Sequence, residues 1–319
     1  MRKLVCIALG IVLVASVVAW AGFEELASLN VARGGQAAVV VDGVLYVIGG
    51  EYDGDGQAPV ERYDADANTW TIIGDSCANA YGANTGVLDG VVYVMGGVDV
   101  EEDSIYEGGG YMWDTRASAT PVWVATPGGG PSMGHGDSPG PTMVGTKIYL
   151  ISGEDNDIDN AWPDYVLATD IYDVVTGEWT LGASIDPYQR EDQGVAAIGS
   201  KIIMMGGEYQ DAPALMMNIY DTQLDTWTHI TDYFFGWEKI RLIANGEYLY
   251  VATGDGAEPN QVYRITLSAL DEEPEQIGRI PLRLAEAAVA ILDGEIVIVG
   301  GEESRSEEVC GNVYILHED

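Results

Sequence analysis

The sequence predicts an all-β fold: a six-bladed propeller, four antiparallel strands per blade, with the ring closed by the N-terminal strand. Two observations carry this. An apolar run ending in a glycine pair, decayed in two cases to Ser-Gly and Thr-Gly, occurs six times at a spacing near fifty residues, which is the signature of a propeller rather than of a single sheet. The last repeat also lacks its fourth strand, while the segment after residue 21 has the look of a fourth strand with no repeat before it.

Taken in order, the chain opens with Arg2 and Lys3, an apolar run from Leu4 to Val18, and Ala19-Trp20-Ala21. A basic start, a hydrophobic stretch of about 15 residues and an A-x-A site describe a cleaved secretory signal, residues 1–21. The run is shorter than the ~20 apolar residues a membrane-spanning helix needs. Cys6 has no lipid-attachment context. The expectation is a secreted or periplasmic protein whose mature part, 22–319, is one domain.

The first complete repeat is Asp42 to Trp70. Val44, Tyr46 and Ile48 alternate with their neighbours up to Gly49 and Gly50, a polar glycine-rich loop follows, then Val60 to Tyr63, a turn at ADAN, and Trp70. Glycine supplies the positive φ of a tight loop, and Asn/Asp/Gly clusters bound strands. The phrase returns with Gly96-Gly97, Ser152-Gly153, Gly206-Gly207, Thr253-Gly254 and Gly300-Gly301, at intervals of 47, 56, 54, 47 and 47 residues. The longer intervals put insertions in the second and third repeats. Tyr63-Asp64, Tyr172-Asp173 and Tyr220-Asp221 precede Trp70, Trp179 and Trp227 by one fixed distance, and the second repeat has Trp113-Asp114 and then Trp123.

A diglycine, a tyrosine and a tryptophan repeated in register resemble the kelch repeat, over essentially the whole mature chain. The resemblance also accounts for Phe23, Leu26, Leu29 and Arg33, which fit a kelch fourth strand, while the last repeat stops at its third strand near Tyr314. The leading segment is therefore expected to complete the last blade, which removes two exposed sheet edges. The resemblance implies a protein- or carbohydrate-binding interaction module. Some secreted relatives are copper radical oxidases, whose tyrosine, histidine and cross-linked cysteine have no counterpart here. Others open and reclose sialic acid rings. An epimerase or mutarotase acting at the channel mouth is thus the alternative, with Glu208 and Arg190 in the analogous places.

Composition narrows the partners. The formal charge is −37, and about −39 without Arg2 and Lys3. Such a surface repels nucleic acid and anionic lipid and suits cations or basic partners. Four lysines stand against ten arginines, a salt-adapted balance. The expected partner is a protein or a carbohydrate, without nucleic acid, without stable membrane insertion, and with a monomeric chain. Cys77 and Cys310 fall on one rim of adjacent blades, where a disulfide is topologically permitted in an oxidising compartment. Two separate thiols are the alternative.

Six residues form the candidate ligand site. Arg33 and Arg190 lie 16 residues before the first glycine of their pairs and Arg283 lies 17 before its own, while Glu51, Glu208 and Glu302 follow those pairs. All six belong to one rim. They read plainly as intra-blade Arg–carboxylate contacts, and functionally as a charged collar able to hold an acidic sugar. Glu154 and Asp255 occupy the acid position without the arginine. The repeat tryptophans read as packing. Trp162, Phe234, Phe235 and Trp237 lie outside the register and are the candidates for an exposed aromatic surface, with burial between blades as the competing reading of the Phe234–Trp237 stretch. No cofactor is implied other than calcium. Asp155, Asp157 and Asp159 alternate like the start of a calcium loop, but Asn160 and Val166 replace its glycine and its bidentate glutamate. Asp53 and Asp55 make a weaker acidic loop. The three histidines, His135, His229 and His317, share no catalytic motif.

Overall fold

The structure is a computed structural model that describes residues 22–52, 56–102, 104–106, 108–155, 166–209, 212–234, 236–256, 260–306 and 308–317. Every regular element among them is a β-strand. Blade 1 is Ala37–Val41, Val44–Ile48, Val60–Asp64 and Thr69–Gly74, paired in that order and antiparallel throughout. The inner strands of the next blades are Asn84–Leu88, Met143–Val144, Gly194–Ile198, Glu238–Asn245 and Ala288–Leu292. Blade 6 takes Gly22–Leu26 as its outermost strand, in the register Gly22↔His317 to Leu26↔Val313. The predicted closure is therefore present. The leader 1–21 lies outside the described residues.

A blade cannot bury its two apolar faces alone, so each packs on the next. Six hydrophobic clusters result, one per blade interface. Val299 and Val313 of blade 6 meet Leu45 and Val47 of blade 1, and Ile48 and Val60 meet Val92 and Trp113 of blade 2. The others join blades 2 to 3, 3 to 4, 4 to 5 and 5 to 6. Interfaces on both sides of every blade make the ring close at six. The repeat aromatics sit where packing requires them. The rings of Tyr63 and Trp70, Tyr172 and Trp179, and Tyr220 and Trp227 are each 5.0 Å apart, tilted by 40°, 43° and 39°.

The glycine pairs cross the top of each blade with positive φ at both residues, 62° and 83° at Gly49 and Gly50, and Ser152 adopts 58° in the decayed pair of blade 3. A Cβ on Gly50 would lie 2.5 Å from the Gly34 carbonyl oxygen, so glycine is needed there for room as well as for φ. Blade 5 departs from this. Its second strand runs unbroken through Thr253 to Asp255, and its inner strand shifts register on both sides of Arg241. Cys77 and Cys310 are separate thiols, the first buried and the second half-buried.

Candidate functional site at the channel mouth

The structure takes the arginine–glutamate collar apart. Arg33 and Arg190 start from the expected rim, but both side chains are fully buried inside their blades. Arg33 pairs with Glu61 on strand three, not with Glu51: its Nη2 donates to Glu61 Oε1 at 2.5 Å. Its other N–H groups donate to the carbonyls of Val31, Gly49 and Pro59. Burial pushes its pKa down to about 10 against the opposing pull of Glu61. Arg190 pairs with no carboxylate among the described residues. It donates to the carbonyls of Tyr188, at 2.8 Å, and Gly206, and its Nη2 has no partner among the described residues. Burial holds its pKa down at about 9. Blade 3 uses His135 in the same place, with Nε2 3.0 Å from Asp170 Oδ2 and Nδ1 2.7 Å from the Ser152 carbonyl oxygen. The sequence reading missed this pair. The reason all three point inward is local: a long polar side chain at this position can satisfy the carbonyls that the glycine pair leaves unpaired.

The acids behave differently. Glu51, Glu208, Glu302 and Asp255 remain half-buried at the mouth and Glu154 is exposed there. Arg283 is half-buried, and its carbonyl accepts from the Ser304 N–H at 2.9 Å. Each post-glycine residue bridges to the chain entering the inner strand: Gly34↔Glu51, Tyr81↔Val98, Gly136↔Glu154, Glu191↔Glu208, Glu238↔Asp255 and Ala285↔Glu302. The residue after each bridge has positive φ in every blade. These six are Gly35 (68°), Gly82 (60°), Asp137 (40°), Asp192 (55°), Lys239 (52°) and Glu286 (51°). A non-glycine residue in that conformation is uncommon, and four of them around one axis mark a constrained, shaped site. The two glycines make room for their neighbours. A Cβ on Gly35 would fall 2.3 Å from the Tyr81 ring, and one on Gly82 would fall 2.7 Å from Asp137 Oδ1.

Across Gly35, the Tyr81 hydroxyl donates to Glu286 Oε2 at 2.9 Å. Lys239 Nζ pairs with Glu286 Oε1 and stands 3.9 Å from Glu302 Oε2. Burial opposes the Lys239 charge, but Glu286, Asp192 and Glu302 outweigh it and raise its pKa. Burial, with Glu286 beside it, lifts Glu302 to about 7. Burial also lifts Asp192 to about 7, the pull of Lys239 being offset by Glu286. Asp137 is raised by burial and then by Asp192, Glu286, Glu154 and Glu191. Beside it opens a pocket of about 350 Å³, bounded by Glu51, Asp137 and Glu154, by Tyr81, and by Val98 and Ile105 of a small hairpin. This arrangement can hold a cation or pass protons between carboxyl groups.

Tyr81, Asp137, Asp192, Lys239 and Glu286 were not singled out from the sequence. A signal was available: each of the last four lies 14 residues before the first member of its pair, or 15 in blade 3, where the other blades have glycine. Of the aromatics outside the register, Trp237 is buried and Phe234 is exposed, while Trp162 and Phe235 lie outside the described residues. So do Asp53, Asp55, Asp157 and Asp159; Asp155 is half-buried.

Six blades, five of them four-stranded and antiparallel and the second joined by the parallel Gly140–Pro141, closed around a channel define a six-bladed β-propeller. Residues 32–76 match the Kelch motif. Kelch-like protein 36 of Mus musculus is 25% identical over 215 residues, which take in 65% of this chain and 33% of the mouse protein. Kelch-like protein terF of Aspergillus terreus is 24% identical over 284 residues, 83% of this chain and 60% of the fungal one. The solved structure of YjhT shares the fold, with a TM-score of 0.71 at 14% identity over 92% of this chain and 99% of that one. The Kelch motif match, the kelch-like relatives and the shared fold together support a kelch-repeat β-propeller. It matches about a third of the length of the mammalian relatives.

Proposed function

We propose that the protein is a secreted or periplasmic binding module that receives a basic segment of a protein partner at its acidic channel mouth. Kelch-repeat propellers generally bind protein partners, and the mouth supplies the chemistry for a positively charged one. The observation that carries the reading is Asp137. Among the groups that act most strongly on it are four carboxylates and no cation, and it borders an open pocket with aliphatic walls. A lysine or arginine side chain relieves that repulsion while laying its methylenes on Val98 and Ile105. Titration calorimetry with a lysine-rich and a glutamate-rich peptide tests this. The basic peptide is expected to bind, to weaken below pH 7 as Asp192 and Glu302 take up protons, and to lose about tenfold in affinity, roughly 1.4 kcal/mol, in Asp137→Asn. Equal binding of the acidic peptide would sink the reading.

A second reading, acid–base catalysis of carbohydrate ring opening, is favoured by two carboxyl groups poised near 7 beside Lys239. Its test is the rate of sialic acid anomer interconversion by NMR. Acceleration lost in Glu302→Gln supports it, and no acceleration by the native protein removes it. A calcium ion held by Asp155, Asp157 and Asp159 remains a proposal that a calcium-dependent melting shift would test.

A further inference from the structure

Below the mouth the channel is interrupted. In blade 3 the inner strand is broken: Gly140–Pro141 pairs in parallel with blade 2, Gly140↔Asn84 and Pro141↔Thr85, before Met143–Val144 rejoins its own sheet. The crossing needs glycine, since a Cβ on Gly140 would lie 2.1 Å from the Val195 carbonyl oxygen of blade 4. Here the channel narrows to a gap of about 30 Å³ bounded by Gln36, Arg241, Thr85, Gly140 and Pro141. Ala38, Thr85, Pro141 and Val289 border both this gap and a chamber of about 280 Å³ lined with Val40, Met143, Ala244 and Ile291. The chamber lies toward the rim that carries the turns between strands one and two, opposite the acidic mouth.

Two buried side chains meet the gap with their hydrogen bonding incomplete. Arg241 is 6% exposed, and the register shifts on either side of it re-aim its side chain out of the regular strand pattern. Its Nη1 donates to the Ile240 carbonyl at 3.2 Å, and its Nε has no partner among the described residues. Gln36 is 3% exposed; its Nε2 donates to the Val299 carbonyl at 2.5 Å, and its Oε1 accepts from no group among the described residues. Buried donors and acceptors are costly to leave unmade. One needs an acceptor and the other a donor, in a space suited to one oxygen atom. A hydroxyl does both. An anion would face Gln36 Oε1 and a chain of formal charge −37, and a cation would face Arg241.

We propose that gap and chamber form a second binding site, entered from the rim opposite the mouth, for a small uncharged molecule with an apolar body and a hydroxyl head, an alcohol or a phenol. The body fills the chamber. The hydroxyl accepts from Arg241 Nε and donates to Gln36 Oε1.

The probe is 2-naphthol, titrated into the whole protein at neutral pH and followed by its fluorescence, with naphthalene as the partner lacking the head. Saturable one-to-one binding of 2-naphthol is expected, with naphthalene about fivefold to tenfold weaker. Arg241→Met is expected to erase that preference. Ala244→Phe, which fills the chamber without touching the gap, is expected to abolish binding of both and to leave basic-peptide binding at the mouth intact. No saturable binding to the native protein, equal affinity for the two probes, or full binding by a folded Ala244→Phe variant would each overturn the proposal and leave the gap as the seat of a single water.

Discussion

Blades 1 and 4 place an arginine at one repeat position and resolve its charge in opposite ways. Glu61 faces Val47 across the ladder in blade 1, and Asn218 faces Met204 at the same point of blade 4. Glu61 takes the Arg33 guanidinium at 2.5 Å and also accepts from Asn30 and Val31. Asn218 instead donates toward His229, 2.7 Å from Nδ1, and its own oxygen has no partner among the described residues. The difference teaches that the repeat dictates where the side chain goes, because the glycine-pair carbonyls need donors, whereas the third strand decides whether the charge is neutralised. A buried ion with one good partner is hard to disturb; one held by carbonyls alone keeps much of its desolvation cost.

The largest effect follows from breaking the good pair. Glu61→Ala strands a buried guanidinium and is expected to cost about 3–5 kcal/mol, measured by guanidinium chloride unfolding. A loss below about 1 kcal/mol would mean that the carbonyls suffice and that the two blades do not differ. Supplying the missing partner is the converse. Asn218→Asp is expected to stabilise the fold by about 1–3 kcal/mol at pH 7. Since the new carboxyl's folded pKa would lie below its unfolded one, that gain should fade as pH falls below about 4. A lower melting temperature at pH 7 would refute the assignment of Arg190 as uncompensated.

The mouth sharpens the contrast at smaller amplitude. Gly35→Ala drives a Cβ into Tyr81 at a φ of 68°. It is expected to cost about 1–2 kcal/mol and to displace the Tyr81 hydroxyl from Glu286, visible as a change in tyrosine absorbance near pH 10. The smallest effect is in the pH profile. Asp192 and Glu302 have folded pKa values near 7, above those of unfolded carboxyls. The native state therefore binds the extra protons, and stability should decline as pH rises from about 4 through 7. A double Asp192→Asn, Glu302→Gln variant should flatten that slope in thermal melts, and an unchanged slope would move its origin elsewhere in the molecule.

Much of this was legible in the residues themselves. The glycine pairs, the Tyr–Trp spacing and the orphan strand around Phe23 announce six blades and their closure because they are local requirements of backbone and packing, repeated. The collar was misread for a physical reason. Position along the chain placed Arg33 and Arg190 at the rim, yet a flexible side chain of that length can turn outward to Glu51 or inward to Glu61, and spacing does not choose. Asp137, Asp192, Lys239 and Glu286 were passed over because their shared left-handed backbone shows only when six strand entries are brought around one axis.

The sequence alone determined the blade, its count and the stitching of the ends, since each depends on near neighbours and on strands left without a partner. Tertiary structure alone decided which charges meet. Carboxylates more than two hundred residues apart, such as Glu51 and Glu302, meet only after the ring closes, and burial with these neighbours then raises the Glu302 carboxyl.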